Sequence, residues 1–258
     1  MTHLLKLDSI SKIYSSDEGL NVSVLEDISL EIEERGKIIT FLAPFGSGKT
    51  TLLKIIAGLI EPSGGKIFYD DSNKLKRIPY LPEKPSSYPW LNVRQNIELA
   101  SNLFGNKFNS EEFISLVGLK DYEDYFPNNK SLGFRFRISL ARALAINPSL
   151  ILIDDSFKRM SNESRIEIYA LLKELASDKK FSVGFILATT NLVEAIQLSD
   201  IIFLMGKKPG RIIKKLKIDV KDKVLLADSK SEKFTMLKNE IEEAFNSLST
   251  VTTINYSL

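Results

Sequence analysis

Residues 43 to 51 read Ala-Pro-Phe-Gly-Ser-Gly-Lys-Thr-Thr, a run whose residue types suit the grip of a polyphosphate. Gly46 and Gly48 free the backbone to turn successive N–H groups inward, Lys49 adds a point charge for the same oxygens, and the Thr50 hydroxyl is a ligand suited to Mg²⁺. The spacing is that of the G-x-x-x-x-G-K-[ST] loop, with Ala43 where the first glycine stands, a small residue the loop tolerates if its dihedral allows. Ala43, Pro44, Phe45, Gly46, Ser47, Gly48, Lys49, Thr50 and Thr51 are therefore candidate contacts for the β- and γ-phosphates of a nucleotide. A second chemical feature lies far downstream, in Leu150-Ile-Leu-Ile-Asp-Asp155. There Asp154 can hold Mg²⁺ and its waters while Asp155 faces an attacking water. Two acids at a strand end are a weak signal alone and a strong one beside the loop.

These groups need elements to hold them. The apolar run Lys37 to Leu42 predicts a strand feeding the loop, and Thr51 to Leu59 predicts a helix leaving it. Before it, residues 4 to 14 and 24 to 32 alternate around a Ser-Ser-Asp-Glu-Gly turn, as two half-buried antiparallel strands do. After Glu-Pro-Ser-Gly-Gly (61 to 65), Lys66 to Tyr69 returns as a strand. Between residues 92 and 146 the apolar spacing becomes helical, at Val93, Ile97, Ala100 and Leu103, then Phe113, Leu116 and Val117, then Ile138, Ala141, Leu144 and Ala145. Leu150 to Ile153, Val183 to Ala188 and Ile201 to Met205 are short apolar runs alternating with helical patterns, the mark of parallel βαβ units. Ser231 to Leu248 carries Phe234, Leu237, Ile241 and Phe245 on one helical face.

Composition excludes several classes. The 258 residues carry 35 Lys and Arg against 33 Asp and Glu, a net charge of +2, so no nucleic-acid partner is indicated. The absence of cysteine removes disulfides and thiolate chemistry, and is compatible with the cytosol. The single histidine, His3, is far in sequence from the other groups, which argues against histidine catalysis or zinc binding. No apolar run approaches the roughly 18 residues of a membrane helix, and no signal core follows the start. A membrane role would come through a partner.

Lys130-Ser-Leu-Gly-Phe-Arg-Phe-Arg-Ile-Ser-Leu-Ala-Arg-Ala-Leu144 resembles the signature segment and following helix of ATP-binding-cassette (ABC) ATPases, and the resemblance covers nearly the whole chain. Tyr88-Pro-Trp-Leu-Asn-Val-Arg-Gln-Asn-Ile97, Leu116-Val-Gly-Leu119 and Lys208-Pro-Gly-Arg-Ile212 are most similar to the nitrate, sulfonate, taurine and pyrimidine-precursor branch of bacterial importers. The resemblance implies a P-loop NTPase core of α/β class, with a parallel sheet, an antiparallel β-subdomain and an inserted α-helical subdomain. Its implied boundaries are 1–89 and 147–225 for the core, 90–146 for the helical subdomain and 226–258 for a C-terminal helical extension. It implies ATP and Mg²⁺, two copies closing head-to-tail, membrane permease subunits docking near Tyr88 to Asn96 and the helical insertion, and indirectly a solute-binding protein. The location implied is cytoplasmic, peripheral on the inner face of the cell membrane. Tyr14 matches the family's adenine-stacking aromatic, and Ser131 and Gly133 match the signature groups that meet the partner's γ-phosphate.

The chain departs from the family chiefly where hydrolysis occurs. Asp155 replaces the usual glutamate and is shorter by one methylene, about an ångström of reach, a misplacement that can cost about a hundredfold in rate. Thr190 stands in place of the switch histidine and carries no charge. Glu83 holds the position of the Mg²⁺-contacting glutamine, as a further metal ligand or a substitute base. Leu132 replaces the first signature glycine, and Ser156-Phe-Lys-Arg-Met-Ser161 lacks the usual aspartate. The resulting expectations are a transport-coupled ATPase with slowed hydrolysis or, alternatively, a degenerate cassette that holds ATP without hydrolysing it and pairs with or regulates a competent ATPase.

Overall fold

The computed structural model describes residues 4–15, 19–69, 78–104, 109–219 and 230–253. His3 and residues 226–229 and 254–258 of the expected C-terminal extension lie outside them. Strands β1 (Leu5–Ser15) and β2 (Asn21–Ile32) pair antiparallel, Leu5 against Ile32 and Tyr14 against Val22. Their alternating apolar residues place Leu5, Leu7, Ile10, Leu25, Ile28 and Leu30 in the core. Strand β3 (Ile38–Leu42) is buried along its whole length and leads into α1 (Lys49–Ile56). That helix starts two residues before the expected Thr51, because Gly48 caps it in a left-handed conformation at φ 86°. It stops short of Leu59, because Gly58 turns left-handed and donates to the Ile55 carbonyl. β4 (Gly64–Tyr69) then completes a three-stranded sheet of order β2-β1-β4.

The two-residue β5 (Tyr80–Leu81) precedes three helices, α2 (Val93–Phe104), α3 (Ser110–Leu116) and α4 (Leu132–Leu144). After them come β6 (Leu150–Asp154), α5 (Asn162–Ser177), β7 (Gly184–Thr189), α6 (Leu192–Leu198), β8 (Ile201–Met205), β9 (Ile212–Lys217) and α7 (Glu232–Thr253). The second sheet has order β5-β6-β7-β3-β8-β9, parallel throughout except for β9 against β8. β6 and β7, like β3, expose no residue, as strands covered on both faces must.

Three apolar clusters divide the packing. Helices α2 to α5 share one with Ile151, Ile153 and Phe185 of the sheet. Helix α1 lies in a second, between the antiparallel strands and Ile39, Phe41, Leu152 and Ile186. The third joins α6, β8 and β9 to α7 through Phe234 and Ile241. Within the first, Phe157 stacks edge-on against Phe136 and Tyr169 at 5.3 Å. Its full burial stabilises the turn after β6 by about 1.5–3 kcal/mol. Among the described residues no helix is long and apolar enough to cross a membrane.

Candidate active site

The order β6-β7-β3 sets three chain segments side by side at one edge of the sheet: the acids after β6, Thr189 to Asn191 after β7, and the glycine-rich loop after β3. Two backbone bonds join them. The Ala43 N–H donates to the Thr189 carbonyl at 3.2 Å, and the Asp155 N–H donates to the Ala188 carbonyl at 2.9 Å. Asp155 itself is left-handed at φ 49°, a conformation that Asp tolerates better than most residues.

In the loop, Ala43 and Ser47 are buried, Pro44 is partly covered, and Gly46 and Phe45 face outward. A Cβ on Gly48 would fall 2.7 Å from Leu25 Cδ2 and 3.0 Å from the Val24 carbonyl, so the loop lies directly on β2. The Lys49 ammonium donates to the carbonyls of Ala43 (3.0 Å) and Pro44 (3.1 Å). Burial lowers its pKa from the ordinary value, against the opposing pull of Asp155 and Asp154. Thr50 Oγ1 donates to Asp154 Oδ1 at 3.1 Å, and the Tyr80 hydroxyl donates to Asp154 Oδ2 at 2.7 Å. Burial, then the Asp154 carboxylate, raises the pKa of Tyr80, so it remains a donor. Thr51 follows on α1, half-buried.

These donors fit a magnesium nucleotide. Thr50 and Asp154 converge as two hard oxygen ligands, a partial set suited to an ion that takes its other ligands from phosphate and water. The Ser47 hydroxyl, buried within the loop, has no hydrogen-bond partner among the described residues.

Asp155 is partly buried, and burial raises its pKa; Lys49 and Lys158 oppose that shift, while Asp154 and Glu83 add to it. Glu83 is exposed in the bend after β5, with one oxygen 3.8 Å from Arg159 Nε. Thr190 is exposed beside Asn191, whose side chain caps α6 by accepting from the Glu194 N–H. Ser131 caps α4 by accepting from the Phe134 N–H. Gly133 is buried where a Cβ would meet Ser164 of α5 at 2.9 Å. Tyr14 lies on β1, 41% exposed, with the Lys12 ammonium 5.1 Å from its ring. The loop, Asp154, Asp155 and the Thr190 segment thus share one edge, whereas Ser131 bonds within its own helix, Gly133 packs on α5 and Tyr14 pairs with Val22 of β2.

Three further residues belong to this edge and were not singled out from sequence. Tyr80 holds Asp154. Lys158 projects its charge toward Lys49 and Asp155. Glu194, 4% exposed, accepts from the Tyr169 hydroxyl at 3.1 Å, and burial pushes its pKa up to about 7 against hydrogen bonds from Tyr169 and Thr189. A signal for Glu194 exists in Asn191-Leu-Val-Glu194, which has the spacing of a capping box, although here the carboxylate turns to Tyr169.

The chain belongs to the ABC transporter family, whose model matches residues 25–158. Members of that family bind ATP, typically with Mg²⁺, and generally hydrolyse it, so this is an ABC transporter ATP-binding subunit. It is 34% identical over 216 residues to an uncharacterized ABC transporter ATP-binding protein, YtlC, of Bacillus subtilis (strain 168), covering 81% of this chain and 82% of that one. Over 247 residues it is 32% identical to the aliphatic sulfonates import ATP-binding protein SsuB of Bacillus cereus (strain ZK / E33L), with coverage of 93% and 95%. Among solved structures, the dimeric post-hydrolysis state of the ATP-binding cassette MJ0796 with ADP and Pi superposes with a TM-score of 0.70 at 25% identity, covering 83% of this chain and 99% of that one. CbiO1 of Clostridium perfringens, part of the transporter complex cbiONQ, gives 0.72 at 22% identity over 92% and 94%, and supports the fold.

Proposed function

We propose that this chain is the ATP-binding subunit of an importer, coupling ATP binding and slow hydrolysis to uptake of a small solute through separate permease subunits. The observation that carries the reading is the meeting of Thr50 with Asp154 beside the Lys49 ammonium, which joins a phosphate grip to a metal carboxylate. A bound Mg²⁺ would neutralise phosphate charge there. Gly46, Gly48 and Lys49 hold the phosphates, Thr50 and Asp154 orient the metal, and Tyr80 fixes the carboxylate. Tyr14 offers an aromatic face to the base. Asp155 accepts the proton of the attacking water, and burial raises its pKa above the ordinary carboxylate value, the direction that strengthens a general base. Slowness follows from its short reach and from the uncharged Thr190. Glu83, tied to Arg159, is a secondary candidate for the metal or the water.

The importer assignment rests on the SsuB relatives and on the exposed pair Tyr88 and Trp90, 5.4 Å apart, next to the Asn96 side chain that bonds the Tyr88, Leu91 and Asn92 carbonyls. There the permease docks, on the inner face of the membrane, with a solute-binding protein acting indirectly. A second copy closes head-to-tail, its Ser131 and Gly133 completing this site. The division into core, helical subdomain (90–146) and C-terminal extension is part of the same proposal. A second reading, an ATP-holding cassette paired with a competent ATPase, is favoured by Thr190 and Asp155. The test is Mg²⁺-dependent ATP turnover at rising protein concentration against Lys49→Ala. Turnover that the substitution abolishes supports the motor subunit; ATP binding without turnover supports the second reading, and no binding overturns both.

A further inference from the structure

The turn between β8 and β9 approaches the phosphate loop from behind. Gly206 donates to the Arg211 carbonyl at 2.9 Å and closes the turn. From its tip, the Gly210 N–H donates to the Val24 carbonyl at 2.8 Å, while the Gly210 carbonyl accepts from the Glu26 N–H at 3.0 Å. Leu25 and Gly210 form a parallel bridge, and Arg211 pairs with Glu26. So fixed, Gly210 lies against the phosphate loop: a Cβ there would stand 2.1 Å from the Ser47 carbonyl oxygen and 3.2 Å from Leu25 Cδ2. Real carbon atoms do not approach an oxygen so closely, so any side chain at 210 must displace one of the two segments.

The Val24 carbonyl that Gly210 binds is also the atom a Gly48 Cβ would meet at 3.0 Å. Two glycines distant in sequence thus press on the same stretch of β2, one within the loop and one behind it. The loop from Gly46 to Gly48 presents its N–H groups in a fixed direction only if its back is supported, because left-handed glycines are otherwise free to turn. Position 43 gives it a second tie through the Ala43 N–H.

We propose that Gly210 is a positioning residue for nucleotide binding: the Lys208 to Ile212 turn is a strut that sets the direction of the phosphate loop through the Ser47 carbonyl. This rests on the reading of residues 43–51 as the nucleotide grip. The strut touches no phosphate and acts through the loop.

The experiment compares wild-type protein, Gly210→Ala and Gly64→Ala, whose added methyl would meet only Ser11 Cβ at 3.9 Å. Affinity for a fluorescent ATP analogue with Mg²⁺ is measured beside the unfolding midpoint without nucleotide and the amide hydrogen exchange of residues 43–48. Displacement of the loop by about 1 Å is expected to weaken binding by about tenfold or more in Gly210→Ala. Exchange at 43–48 should rise with it, while the unfolding transition stays cooperative and Gly64→Ala binds as wild type does. Wild-type affinity and exchange in Gly210→Ala would overturn the proposal, as would an equal loss in Gly64→Ala. If wild-type protein binds no nucleotide, the nucleotide reading falls, and the exchange data alone decide the strut. If Gly210→Ala does not fold, the double variant Glu26→Ala/Arg211→Ala decides: about threefold faster exchange at 43–48 supports the strut, a size set by an exposed ion pair, and unchanged exchange overturns it.

Discussion

Replacing Glu194 by Gln should flatten the pH dependence of stability in a window fixed by the site. The carboxyl is 4% exposed among Tyr169, Thr189 and the apolar side of α6, and its folded pKa is about 7 against an ordinary 4.5. Between those values the folded chain keeps a proton that the unfolded chain has released. Rising pH therefore favours unfolding throughout the window and stops doing so above about 7. The full cost is about 3 kcal/mol, from 1.36 kcal/mol for each pH unit between the two values. Glutamine retains an oxygen to accept from Tyr169 and cannot ionise. Urea unfolding of both proteins at pH 5, 6, 7 and 8 should show wild type losing about 2.5 kcal/mol more than the variant between pH 5 and 8, the rest of the cost falling below pH 5. Asp155 is present in both proteins, and its charge is a minor cause of the Glu194 shift beside burial. Parallel stability curves, or a wild-type curve that rises relative to the variant, would refute the argument and return Glu194 to an ordinary ionised carboxylate.

Asp155→Glu restores the missing methylene, and steady-state ATPase assays should show turnover raised by about tenfold to a hundredfold; unchanged or lower turnover would remove reach as the cause of slowness. Tyr80→Phe frees Asp154 Oδ2, and the Mg²⁺ concentration for half-maximal binding of a fluorescent ATP analogue should rise about tenfold, with binding in EDTA unaltered. Superimposable Mg²⁺ curves would exclude Tyr80 from positioning the metal carboxylate.

Much of the architecture is legible because its signals are local. The runs Leu150 to Ile153 and Ile201 to Met205 are bounded by turn residues and are too apolar for anything but buried strands. The loop, Asp154 and Asp155 announce themselves by residue type and spacing. Strands β5 and β9 are hidden for a physical reason: Tyr80 and Leu81 are too short a run to show a period, and Ile-Ile-Lys-Lys-Leu-Lys on an edge strand alternates poorly. The partners of Asp154 and Glu194 are equally hidden, since Tyr80 and Tyr169 reach them across the fold, and no spacing encodes a hydrogen bond between elements distant in sequence. Gly210 reads as a turn glycine, and only the approach of Ser47 reveals why nothing larger stands there.

The position of β3 between β7 and β8 has a consequence for synthesis. A growing chain releases the complete phosphate-binding run early, yet the strand behind it gains both of its neighbours only after Met205 has emerged, and the supporting turn only after Gly210. Pairings of such long sequence separation form slowly and late. An unfinished chain therefore displays the whole signature of a nucleotide binder without being one, and nucleotide in the cell can stabilise only chains that have grown past Gly210.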